Sequence, residues 1–83
     1  MNERVAIIAI VVEKGGDVNR LNDILHDYRE CIIGRMGIPY EKRGISLISI
    51  AVDGPSDKIS ALSGKLGMVD GITAKAVYSK LPE

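Results

Sequence analysis

The chain opens on residues 4–13, RVAIIAIVVE, where both alternating sets are apolar: Val5, Ile7, Ala9, Val11 and Ala6, Ile8, Ile10, Val12. A β-branched run without a polar face predicts a central strand covered on both sides. Lys14-Gly15-Gly16 makes a turn, and Asp17 is placed to cap a helix by accepting from first-turn amides. The period then lengthens. Val18, Leu21, Ile24, Leu25 and Tyr28 form one stripe at helical spacing, with Asn19, Asn22, Asp23, His26 and Asp27 away from it. This helix is expected to end near Arg29 or Glu30. Cys31-Ile32-Ile33 then opens a second strand that continues through Gly34-Arg35-Met36-Gly37-Ile38 and finishes at Pro39. Proline cannot donate to a ladder, which places this strand at a sheet edge, and the two glycines predict a bulge or a close approach by backbone or ligand.

After a turn over Glu41-Lys42-Arg43-Gly44, residues 45–53 (ISLISIAVD) are again mostly apolar on both faces. Gly54-Pro55 is expected to break this strand and Ser56 to cap a second helix, with Asp57 at its positive end. Ile59, Leu62, Leu66 and Val69 supply its stripe, and Gly67 is expected to stop it in the left-handed conformation. A turn at Val69-Asp70-Gly71 leads to a last strand over 72–79, with 81–83 as a tail. The order β-α-β-β-α-β predicts an α+β, ferredoxin-like sandwich: a four-stranded antiparallel sheet with both helices on one face. The whole of 1–83 is expected to be one domain, with the first and third strands central.

That topology leaves a problem. The helices cover one sheet face, yet both central strands are apolar on two. An uncovered patch of several hundred Å² would remain, too much at ~25 cal/mol per Å² to leave wet. The plain alternative is that a tail or loop folds over it, but no segment is long enough. The chain is therefore expected to form a homo-oligomer, a dimer or a tetramer.

Composition narrows the chemistry. Eleven basic and eleven acidic side chains balance, with no long basic run, so direct nucleic-acid binding is not expected. A single cysteine excludes an internal disulfide and any four-cysteine metal site within one chain, and an unpaired thiol fits the cytoplasm. The apolar run from Val5 to Val12 is far shorter than the ~20 residues that cross a bilayer. An RNA-recognition sheet would display aromatics on its central strands, and these have none. A metallochaperone would place Cys-x-x-Cys, and a phosphatase an Arg-bearing anion loop, after the first strand; Glu13-Lys14-Gly15-Gly16 stands there. No catalytic triad suggests itself, so a non-enzyme is expected.

The candidate chemistry gathers in the stretch from Leu21 to Tyr40, which holds the only histidine, the only cysteine and two of three tyrosines. His26 reads plainly as a surface imidazole, or as a ligand contact or metal ligand at a subunit interface. Cys31, five residues on, reads as a small buried apolar side chain or as its partner in a site shared between subunits. Arg35, next to Gly34, can bind an anion, pair across an interface, or guard an edge strand. Tyr40 either offers its hydroxyl to a ligand or packs the strand end. Gly34 and Gly37 serve backbone geometry or close approach, and Asn22 is solvated or joins His26 on a functional face. The candidate ligand-binding set is Asn22, His26, Gly34, Arg35, Gly37 and Tyr40. No metal site and no cofactor is assigned.

The stretches Asn22 to Tyr28 (NDILHDY), Ile33 to Tyr40 (IGRMGIPY) and Gly44 to Ser49 (GISLIS), together with Val52-Asp53-Gly54 and the helix Ile59 to Gly67, resemble a small family of iron-only hydrogenase system regulators. The Gly-Arg-Met-Gly-Ile-Pro-Tyr run is the specific part. The resemblance implies a fold similar to ACT-type regulatory domains and to the C-terminal domain of the nickel-responsive repressor. It implies a ligand-sensing role in transcriptional regulation, exercised through a DNA-binding or hydrogenase-system partner. Alternatives are a metal-binding protein with an inter-subunit site, or a small accessory protein for hydrogenase cofactor assembly. The repressor binds nickel through His-x-His in its second strand. Gly34-Arg35-Met36 stands there in this chain, so nickel binding by that route does not carry over. No segment precedes the first strand to supply the repressor's ribbon-helix-helix, so DNA reading is expected to fall to a partner.

Overall fold

The computed structural model describes residues 2–80. In chain order it contains β1 (Glu3–Val12), α1 (Val18–Asp27), a 3₁₀ turn (Arg29–Cys31), β2 (Ile32–Tyr40), β3 (Ile45–Pro55), α2 (Ser56–Gly67) and β4 (Ile72–Tyr78). The strands form one antiparallel sheet in the order β2-β3-β1-β4, the α+β ferredoxin-like arrangement. The two strands that are apolar on both faces are central, and β2, with its proline, is at an edge.

The core lies between the helices and one sheet face. Ala6, Ile8, Ile10 and Val12 of β1, Ile50 and Val52 of β3, and Ile72 of β4 bury together with Leu21, Ile24 and Leu25 of α1 and Ile59, Leu62 and Leu66 of α2. Each fully buried Ile or Leu contributes about 1.5–3 kcal/mol, and among the described residues no polar or charged residue is wholly buried, although the Arg4 Nε is shielded from water without a hydrogen-bond partner. The entry to α1 and the turn that leaves α2 are tied together at one place. The Asp17 carboxylate accepts from the Arg20 amide at 3.0 Å, the expected cap. The Glu13 amide donates to the Gly71 carbonyl at 2.7 Å, and the Asp17 amide donates to the Asp70 carbonyl at 3.1 Å. Gly71 has φ +74° there, and a Cβ on it would stand 2.7 Å from the Gly16 Cα.

Several local expectations are corrected. The first helix ends at Asp27, and the 3₁₀ turn takes Arg29 to Cys31, so β2 begins one residue later and runs through Pro39 to Tyr40. An edge strand tolerates the missing N–H. Val18 is 47% exposed, because the first turn of α1 overhangs Gly37 and Pro39, and glycine offers nothing to cover it. Gly54-Pro55 does not break β3: both residues stay paired with β1, opposite Arg4 and Glu3. Ser56 is the first residue of α2, and no side chain caps that helix; the Asp57 carboxylate accepts from the Lys58 amide instead. Gly67 ends α2 without a positive φ, and the right-handed Met68 follows it.

The outer sheet face, away from the helices, carries three cross-strand rows read in sheet order: Gly34-Ala51-Ile7-Val77, Met36-Ser49-Ala9-Lys75 and Ile38-Leu47-Val11-Thr73. Small side chains sit toward its middle and large apolar ones around them, with Ile7 50%, Met36 65% and Val77 66% exposed.

Candidate functional site

A groove runs between α1 and the edge strand. Asn22, His26 and Arg29 fall at i, i+4 and i+7 of the chain, so they project along one side at the end of α1. Leu25 and Ile32 form the apolar floor, and Arg35 of β2 closes the far wall of an open depression of about 370 Å³. An Arg35 terminal nitrogen donates to the Asn22 Oδ1 at 3.2 Å across the groove. Arg29 Nη1 donates to the His26 carbonyl at 2.9 Å, covering the negative end of the helix.

Arg35 reaches this wall because of a β-bulge. Ile32 stands opposite Val52 and Gly34 opposite Ala51, so two steps along β2 match one along β3. The extra residue, Ile33, changes the phase of the strand. Ile32 shares the helix-side face with Val52, whereas Gly34 joins the outer face with Ala51. Arg35, opposite Ile50, returns to the helix side, and Met36 and Ile38 go outward. An uninterrupted strand would have pointed Arg35 to the outer face and Met36 into the groove.

A second, apolar depression of about 280 Å³ adjoins the first, lined by Val18, Leu21, Gly37, Pro39 and Ile48 among others. Arg35 belongs to both walls. Of the six candidates, then, Asn22, His26 and Arg35 come together, and Gly37 lies in the neighbouring depression. Gly34 and Tyr40 stand on the outer face, opposite Ala51 and Ile45. Arg29 was not singled out by sequence, although its spacing of three from His26 and seven from Asn22 carried the signal.

The groove is cationic without compensation. No carboxylate lines it, and Arg29 and Arg35 hydrogen-bond only to neutral acceptors among the described residues. Cys31 is buried, with its Sγ where a Cβ on Gly54 would come within 2.9 Å. It faces a different depression, beside Tyr28, Asp57 and Lys58, so His26 and Cys31 of one chain share no site. Among the described residues no group of three or more His, Cys, Asp or Glu is placed to hold a metal ion, and no helix is long and apolar enough to cross a membrane.

No curated protein matches the chain. A solved structure, "The structure of uncharacterized protein TM1266 from Thermotoga maritima", resembles it with a TM-score of 0.89 and 35% sequence identity, over 94% of this chain and 99% of that one. The family model TM1266-like, described as "Iron-only hydrogenase system regulator, putative", matches residues 4–76, which include both helices, the bulge and the whole groove. The chain belongs to the TM1266-like family of iron-only hydrogenase system regulators.

Proposed function

We propose that this protein is a ligand-sensing, ACT-like regulatory module of an iron-only hydrogenase system, acting in the cytoplasm as a homo-oligomer through a partner rather than as an enzyme. The observation that carries the sensing role is the Asn22–Arg35 pair across the groove. It joins a helix to an edge strand through exposed, uncompensated polar groups, where a ligand can change their relative position. The outer face supports assembly as a dimer or tetramer, since a second copy would remove Ile7, Met36 and Val77 from water. A regulator needs a ligand that binds one arrangement better than another. Gene control then falls to a DNA-binding or hydrogenase-system partner, because the balanced charge of this chain does not favour phosphate backbones.

Native mass spectrometry of gently purified protein, without chelator and under anaerobic conditions, tests this reading. An oligomer carrying a small-molecule mass supports it. A stoichiometric metal that is lost on His26→Ala replaces it with an inter-subunit metal site. A bare monomer at every concentration overturns it.

A further inference from the structure

We propose that the two adjoining depressions form one binding site for an organic oxyanion with a short, branched apolar tail, its head on Arg35 and Arg29 and its tail against Val18, Gly37 and Ile48. This rests on the sensing role proposed above and names the class of ligand.

Three observations converge. The guanidinium groups of Arg29 and Arg35 stand in the wall of a groove that no carboxylate lines, and each is oriented by a neutral acceptor, His26 C=O and Asn22 Oδ1. Orientation without neutralisation leaves their planar forks free to take a carboxylate or phosphate. Next, the bulge at Ile33 turns Arg35 inward while sending Met36 and Ile38 outward. Bulges of this kind re-aim a side chain next to functional sites. Finally, Arg35 is shared with an apolar depression whose wall includes a glycine. A Cβ on Gly37 would meet only Ile48 Cγ1, at 3.8 Å, so the space above it is open rather than filled by packing. A charged head alone would leave that surface unused. Each buried methylene adds about 0.8 kcal/mol, a factor of about four in affinity, so a branched four-carbon tail half buried in an open groove gains about tenfold.

The test is titration of the isotope-labelled full chain, followed by backbone amide and arginine side-chain resonances. The probes are 3-methylbutanoate against acetate, and 3-methylbutyl phosphate against inorganic phosphate, at constant ionic strength. The expected result is saturable shifts at Asn22, Arg29, Arg35 and Gly37, with the tailed member of at least one pair binding about tenfold tighter. Whichever pair shows it identifies the head as carboxylate or phosphate. Arg35→Gln weakens that binding at least tenfold. Gly37→Leu fills the apolar depression and abolishes the advantage of the tail while leaving acetate or phosphate binding unchanged. Both variants alter exposed positions, and the dispersion of their spectra reports that they fold. Non-saturable shifts with all probes, or equal affinities with and without the tail, overturn the inference. Sedimentation of the same samples separates it from the sensing role. Binding with no change in association keeps the site and removes the sensor; association that responds to a neutral or cationic ligand alone keeps the sensor and removes this site.

Discussion

Ile7→Lys tests the assembly of the outer face. Ile7 lies on a central strand, between Ala51 and Val77 in one cross-strand row of that face, and is 50% exposed in a single chain. Burying an isoleucine completely contributes ~1.5–3 kcal/mol, so the uncovered half contributes about 1 kcal/mol when a second copy covers it. In a two-fold interface every residue counts twice. Loss of both contributions, about 2 kcal/mol, weakens the dissociation constant about 30-fold at ~1.4 kcal/mol per decade. Two like charges brought into the interface make that a lower bound. In an isolated chain the same change costs little, about 0.5 kcal/mol or less, because the lysine stem lies along the sheet with its amine in water. Sedimentation equilibrium over a broad concentration series reads the first quantity. Thermal melting at the most dilute concentration, where single chains prevail, reads the second. An unchanged association constant in Ile7→Lys refutes the outer face as the interface, and a wild-type protein that stays monomeric throughout refutes association itself.

Three further outcomes follow from contacts described above. Gly15 and Gly71 both have positive φ, but only at Gly71 would a Cβ strike backbone, so urea denaturation should show Gly15→Ala losing about 1–2 kcal/mol and Gly71→Ala clearly more; equal losses would remove the role of the close approach. Gly54→Ala forces a methyl to within 2.9 Å of the Cys31 Sγ and should cost about 1–3 kcal/mol, while Cys31→Ala in the same chain should restore at least about 1 kcal/mol, and simple additivity in the double-mutant cycle would show that the two do not touch. Asp17→Ala leaves the Arg20 amide without its side-chain acceptor and should destabilise the chain by about 1 kcal/mol in the same denaturation assay, with faster amide exchange confined to the first turn of α1.

Hydrophobic period carried the architecture. The double-sided apolar runs of β1 and β3 announced central strands, Pro39 announced an edge, and the stripes Leu21-Ile24-Leu25 and Ile59-Leu62-Leu66 announced which helix faces are buried. Element ends were less legible because they depend on tertiary partners. Ser56 and Gly67 have the right chemistry for caps, but pairing of Gly54-Pro55 with β1 starts α2 without a side-chain cap, and right-handed Met68 ends it. The site was half legible. Asn22 and His26 share a helix side by spacing alone, whereas the inward turn of Arg35 depends on where one unpaired residue falls in β2, and glycine composition does not fix that. Arg29 has the right spacing from Asn22 and His26, but it lies beyond the end of α1, and its place beside the groove depends on the 3₁₀ turn, which helical spacing alone does not announce.

The bulge at Ile33 also determines what kinds of change this protein can absorb. Beyond it, alternate residues of β2 answer to different neighbours: Arg35, Gly37 and Pro39 to the helix side, Met36, Ile38 and Tyr40 to the outer face. A substitution alters one of these relations at a time. Removing Ile33 takes out the unpaired residue itself and leaves Ile32 opposite Val52 and Gly34 opposite Ala51, so every one of these relations is kept, whereas removing Met36 must reverse either Arg35 or the residues from Gly37 to Tyr40. Natural variants of this segment should therefore lose the bulge residue more readily than any residue beyond Arg35, and a one-residue deletion at Met36 should cost both binding and assembly where deletion of Ile33 costs neither.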